Sequence, residues 1–228
     1  MTWAVRANVA LGTARGLCHL HANNIIHGDI KSGNILLDRH FEPKIGKGTS
    51  STTLMPTLSN FTLHFDSFSG DFGLARGGPE SDAYSYKTVS SVQGTAAYLP
   101  LDYVRSRHLT PAVDTFCYGI FLFELVSGKS PSWMDPQTRD TIRDIMIDAS
   151  QPEPWIDSSA GDRSSSWPKC LFFLGRDCTK SRRKNRPLMQ SVLRAVEQLH
   201  QNPSIRSIRS AYSDDQKNVE GRKNNIII

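Results

Sequence analysis

Within the stretch HGDIKSGNILLD an aspartate, a lysine and an asparagine, Asp29, Lys31 and Asn34, stand two and three residues apart, just ahead of the apolar run Ile35-Leu36-Leu37. Two oxygen donors and a cation at the lip of a buried strand suit phosphoryl transfer. That reaction asks a protein for little covalent help, but it needs a carboxylate to aim the acceptor hydroxyl and a hard divalent cation to hold the phosphates. Asp29 supplies a carboxylate, Lys31 a charge for the moving phosphoryl group and Asn34 a carbonyl oxygen for magnesium. The second carboxylate such a metal wants stands at Asp71, followed by Phe72 and Gly73. Any one of these residues alone reads as a solvated turn residue; their combined order carries the argument.

Several elements must position them. Trp3, Ala7, Leu11, Ala14 and Cys18 recur at helical spacing, with Arg6, Asn8 and Arg15 off the stripe, which predicts an amphipathic helix over 3–22. Short strands at 35–37 and 43–45 flank a polar turn at 38–42. Helices are expected over 112–127, 136–149 and 187–201, with Pro111, Pro136 and Pro187 near their starts. Phe116 to Val126 is core. Residues 47–70 are rich in Ser and Thr without a steady period, and the tail 202–228 is polar, basic and expected to be disordered.

Composition narrows the function classes. In 228 residues, 38% are hydrophobic, enough for a real core. The net charge of +5 gathers in Arg176 to Lys184 and in the tail instead of forming a cationic stripe with interleaved aromatics, so nucleic acid is not an expected partner. The four cysteines, Cys18, Cys117, Cys170 and Cys178, form no C-x-x-C pair, and His19, His21, His40, His64, His108 and His200 lack metal-ligand spacing. Reduced thiols and a cytoplasmic setting are expected. The longest apolar run, Phe116 to Val126, is too short for membrane insertion. Trp133, Trp155 and Trp167 are expected to pack or cap helices, and the triplet at Asn60 matches a glycosylation signal by chance.

HGDIKSGNILLD followed by DFGLAR resembles the catalytic loop and metal-binding segment of eukaryotic protein kinases. The likeness continues in order. GTAAYLP (94–100) resembles the end of an activation segment, VDTFCYGIFLFELVSGKSP (113–131) the central buried helix of the large lobe, and Arg186-Pro187 the approach to its last helix. HGD in place of HRD, the PKIG strand, the R-G-G-P after DFG and the Y-L-P ending are most similar to Pelle and the interleukin-receptor-associated kinases.

The resemblance implies a mainly α (α+β) fold, a kinase C-terminal lobe with small β-hairpins at the catalytic loop, spanning 1–201 with an atypical insert at 47–70. It implies ATP and Mg2+, with Asp29 as catalytic base, Lys31 contacting phosphate, Asn34 and Asp71 binding metal, and Leu36 flooring the adenine. His27 and Phe72 would stack inside an internal spine beside Gly73, Asp114 would hold the catalytic-loop backbone, and Arg186 would pair with Asp102. The implied function is intracellular Ser/Thr phosphorylation of protein substrates beside signalling adaptors, of the Toll or interleukin-receptor type that serves innate immunity. The alternative is an inactive scaffold or a truncated gene product.

Four departures follow from the same alignment of motifs. Gly28 replaces the arginine that in many kinases clamps a phosphorylated activation loop, so phosphates at Thr88, Ser90, Ser91 or Thr95, the candidate acceptors, must meet other cations. Asp102 replaces a glutamate one methylene longer, which predicts a looser pair with Arg186. Only 26 residues precede His27, so the N-terminal lobe, with its Gly-rich loop and strand lysine, is expected to be missing from this sequence. Last, residues 47–70 separate PKIG from DFG, and closing a 24-residue loop there costs about 3 kcal/mol. Codons available to Gly46-Lys47 and Ser69-Gly70 accommodate the first and last dinucleotides of an intron in one phase. The insert therefore reads as intron-type sequence carried into the coding sequence, which sequencing the transcript would decide.

Overall fold

Thr2 starts the first helix, α1 (Trp3–Ala22), by accepting a hydrogen bond from the Val5 amide on its hydroxyl, and the helix ends where the Asn23 amide turns back to the His19 carbonyl. The structure, a computed structural model, describes residues 1–46, 76–77, 86–161 and 166–201. The predicted stripe lies inward: Ala7, Ala10, Ala14 and Leu17 are buried. Arg6, expected off the stripe, is buried as well. It donates to the Leu125 carbonyl (2.6 Å) and pairs with Asp157, which is why a charge is tolerated there.

After α1 the chain forms β1 (Ile25–Ile26), the hairpin β2 (Ile35–Leu37) and β3 (Pro43–Ile45), then β4 (Arg76–Gly77) and β5 (Lys87–Thr88). The hairpin pairs Ile35 with Ile45 and Leu37 with Pro43. Its turn is closed by the Asp38 carboxylate, which accepts from the His40 and Glu42 amides at 2.8 and 3.0 Å. Strand β1 pairs antiparallel with β4, and β5 with β6 (His108–Leu109). Three two-stranded antiparallel sheets thus sit among the described residues, beside a mostly helical remainder.

The helices that follow are α2 (Leu101–Ser106), α3 (Pro111–Ser127), α4 (Ile142–Asp148), α5 (Ser166–Cys178) and α6 (Met189–Gln201). Pro111 begins α3 and Gly128, at φ 66°, ends it. Buried along nearly its whole length, α3 is the axis against which α1 and α5 pack. It meets α5 at two glycines: a Cβ on Gly119 would lie 2.8 Å from the Gly175 carbonyl, and one on Gly175 would lie 2.7 Å from the Phe123 ring.

The helix expected over 136–149 is a correction. Only Ile142–Asp148 is helical. Asp135 accepts from the Gln137 amide, Arg139 adopts φ 65°, and a bridge joins Met134 to Thr141, so Pro136 belongs to a loop that returns on itself. Thr141, not Pro136, starts the helix, capping the Asp144 amide with its hydroxyl. Helix α6 begins at Met189, two residues past Pro187, and α2 and α5 were not anticipated. The insert expected at 47–70 and the tail 202–228 lie outside the described residues. Among the tryptophans, Trp167 is buried, while Trp133 carries the Lys129 ammonium 3.1 Å above its ring centroid. The four cysteines are free thiols, and burial pushes Cys117, Cys170 and Cys178 up, away from nucleophilic use.

Candidate active site

Asp114, on the first turn of α3, is 0% exposed and fixes the loop above it. One carboxylate oxygen accepts the Gly28 amide at 2.8 Å; the other accepts the His27 amide and meets His21 Nε2, each at 2.9 Å. Burial alone would raise this carboxyl, but the His21 contact, the nearby imidazoles and the Gly28 amide outweigh it and hold the group below the ordinary carboxylate range. Gly28 turns the chain at φ 79°, a left-handed conformation open to glycine. Its own carbonyl lies close under Gly94, where a Cβ would come within 2.8 Å.

Next to that turn the Asp29 carboxylate is held from three sides. One oxygen accepts from both the amide and the hydroxyl of Thr95, at 2.9 and 2.8 Å. The other accepts from Asn34 Nδ2 at 3.1 Å and faces the Lys31 ammonium at 3.3 Å. Lys31 in turn donates to the Thr95 hydroxyl at 2.8 Å, and Asn34 Nδ2 also reaches the Asp29 carbonyl at 2.6 Å. The geometry thus brings Asp29, Lys31 and Asn34 together with Thr95, which the sequence offered only as a phosphate acceptor. Its hydroxyl is engaged on both sides, whereas Thr88, Ser90 and Ser91 are exposed on and after β5. The sequence signal for Thr95 was present in GTAAYLP, but nothing in spacing alone says which hydroxyl of that segment folds back onto the carboxylate.

Asn34 is 2% exposed, and its Oδ1 has no hydrogen-bond partner among the described residues. A buried amide oxygen left open beside a carboxylate fits a hard cation, which takes oxygen ligands. Asp71, Phe72 and Gly73 lie outside the described residues, and Leu36 is half-buried in β2 opposite Lys44.

The end of the segment is anchored on α3 and on the approach to α6. Tyr98, in the 3₁₀ turn Ala96–Tyr98, donates to Glu124 at 2.6 Å, and Ser32 donates to the other oxygen of Glu124 at 3.1 Å. Burial raises Glu124, and burial with the neighbouring carboxylate raises Tyr98 strongly. Asp102 meets Arg186 at 2.6 Å through a single pair of atoms, in place of the two contacts a planar fork can make. Arg186 spends its other donors on the carbonyls of Lys180, Ala112 and Ser181.

The family model described as the protein kinase domain matches residues 1–196 of the 228. The chain belongs to the protein kinase family. It is 32% identical to the Pelle-like serine/threonine-protein kinase pik-1 of Caenorhabditis elegans over 85% of this chain and 39% of that protein. It is similar to interleukin-1 receptor-associated kinase 1 of Mus musculus, 28% identical over 89% of this chain and 30% of the relative. A third match is the serine/threonine-protein kinase pelle of Drosophila melanogaster, 32% identical over 86% of this chain and 36% of the relative. The chain therefore spans between 30 and 39% of the length of these relatives. Within this sequence the aspartate of the HGD stretch accepts from a threonine sixty-six residues downstream. No helix among the described residues is long and apolar enough to cross a membrane.

Proposed function

We propose that the chain is the large-lobe part of a Pelle-like Ser/Thr kinase that transfers the γ-phosphate of ATP to hydroxyls of protein substrates, at signalling complexes assembled by adaptors in the cytoplasm, of the Toll or interleukin-receptor kind. The observation that supports it most is the Asp29 carboxylate, gripped by Thr95, Asn34 and Lys31.

In this reading Asp29 receives the proton of the acceptor hydroxyl as it attacks in line. Thr95 and Asn34 prevent the carboxylate from rotating, so that little is lost in aligning it. Lys31, 3.3 Å away, offsets negative charge on the phosphoryl group as it leaves ADP. Asn34 Oδ1, with Asp71, would hold magnesium, which when bound neutralises the phosphate oxygens. Asp114 keeps His27 and Gly28 in register beneath, and Arg186 with Asp102 fixes the end of the segment. Thr88, Ser90 and Ser91 are the accessible candidate phosphate acceptors.

The experiment is a calorimetric titration of MgATP into the 228-residue chain, paired with transfer to a Ser/Thr peptide by the wild type and D29N. For a large lobe by itself, weak magnesium-dependent nucleotide binding is expected, with D29N lowering the kcat that remains by about 10²- to 10⁴-fold while that binding persists. A folded chain that binds no nucleotide would reject the enzymatic reading of this chain and leave a docking scaffold or a truncated gene product.

A further inference from the structure

Arg143 opens helix α4 from a position where an arginine ordinarily reaches into solvent, yet its side chain is only 17% exposed. Its Nη2 donates to the Leu99 carbonyl at 2.9 Å and its Nη1 to the Ala96 carbonyl at 3.3 Å. Its Nε is buried without a hydrogen bond among the described residues, and the Asp144 carboxylate is no nearer than 3.9 Å. The guanidinium lies 5.6 Å from the centroid of the Phe116 ring. Removing a charge from water this far is costly unless strong acceptors and a ring face compensate. The two carbonyls it holds bracket the 3₁₀ turn Ala96–Tyr98, and Thr95 is the residue immediately before that turn.

We propose that Arg143 is a positioning residue for Asp29: by holding the Ala96 and Leu99 carbonyls it fixes the turn, and through the turn the Thr95 amide and hydroxyl that aim the carboxylate. On the upstream side Thr95 follows Gly94, at φ 115°, which packs on the Gly28 carbonyl, and Lys31 Nζ donates to the Thr95 hydroxyl at 2.8 Å. These contacts reach the Thr95 hydroxyl and the residue before it, whereas the turn that follows is held from elsewhere in the fold. There, Tyr98 is tied through its ring hydroxyl to Glu124 and through its carbonyl to the Cys117 thiol. Arg143 is the side chain that grips Ala96, the neighbour of Thr95. A segment from α4, remote in sequence from the HGD loop, thus governs how rigidly the carboxylate is presented. The task assigned to Asp29 rests on the kinase reading above; the coupling of Arg143 to Thr95 rests on geometry alone.

The test compares the full-length wild type with R143A, R143K and R143Q by amide hydrogen exchange resolved at Thr95, Tyr98 and Leu99, whose amides donate to Asp29, Thr95 and Ala96. In R143A these three amides should exchange at least about tenfold faster, while Phe121 in α3 and Leu171 in α5 keep their protection. R143K, whose single ammonium cannot span both carbonyls, should fall between. In peptide phosphorylation with MgATP, kcat should drop at least about tenfold with KM for ATP unchanged. Unchanged exchange at Thr95 in R143A overturns the proposal. So does uniform acceleration through the core, which would make Arg143 a general support of the fold, and so does faster exchange with an unaltered kcat. Should R143A fail to fold, R143Q and R143K carry the same comparison. A wild type that transfers no phosphate would defeat the kinase reading, and the exchange experiment would still decide the coupling.

Discussion

The peptide between His27 and Asp29 is shaped by a glycine at φ 79°, stitched to Asp114 through its amide and packed under Gly94 through its carbonyl. Any side chain here must adopt a left-handed backbone, so G28A should lower stability by about 1 to 2 kcal/mol, measured by urea unfolding. The departure from HRD that the sequence displayed is thus a conformational matter as well as the loss of a cation. Asp29, Lys31 and Asn34 were legible because their chemistry and order speak together. Thr95 was seen only as a hydroxyl in a Ser-rich and Thr-rich segment, since its bond to Asp29 spans sixty-six residues and no local period encodes it. His21 and Glu124 escaped for the same reason: each meets its partner across the fold.

Helix α3 is the element on which the site hangs, carrying Asp114 below the loop, Glu124 beside the segment, and Gly119 against α5. At Gly119 an added Cβ would come within 2.8 Å of Cys178 Cβ and of the Gly175 carbonyl, with 2.7 Å to Thr179. G119A gains helix propensity of about 1 kcal/mol, but overpacking costs about 1 to 3 kcal/mol, so thermal unfolding should show a net loss. Helix α1 and the β2–β3 hairpin were legible from apolar spacing and turn residues, because both patterns are local. The helix predicted from Pro136 was misjudged because proline suits a tight loop as well as a first helical turn, and the bridge between Met134 and Thr141 selected the loop. Helix α5 was missed because serines suit loops as well as helix starts, so the run Ser164 to Ser166 leaves the start ambiguous in sequence.

At the scale of the molecule, four carboxyls among the described residues, Asp38, Asp114, Glu153 and Asp157, are depressed and shape the response to acid. Asp157, although burial pushes it up, is held at about 2 by hydrogen bonds from Arg6 and Ser159, against an ordinary value of 3.8. A folded value below the unfolded one means that its stabilisation is complete above about 3.8 and lost as pH falls toward about 2. Asp114 acts in the same sense, while Glu124, raised by burial, acts in the opposite one as pH crosses its range. D157N should therefore flatten the decline in melting temperature between about pH 4 and pH 2, as followed by circular dichroism. The ring of Phe116 joins distant parts of this architecture: the Arg186 guanidinium lies 4.9 Å from its centroid and that of Arg143 lies 5.6 Å away. Arg186 holds the front of α2 through Asp102, and Arg143 holds the turn before it. Because both cations lean on one aromatic ring, their energies are not independent. A thermodynamic cycle of R143A, R186A and the double variant should show an interaction energy of about 0.5 kcal/mol or more, so that variation at either arginine changes what the other is worth.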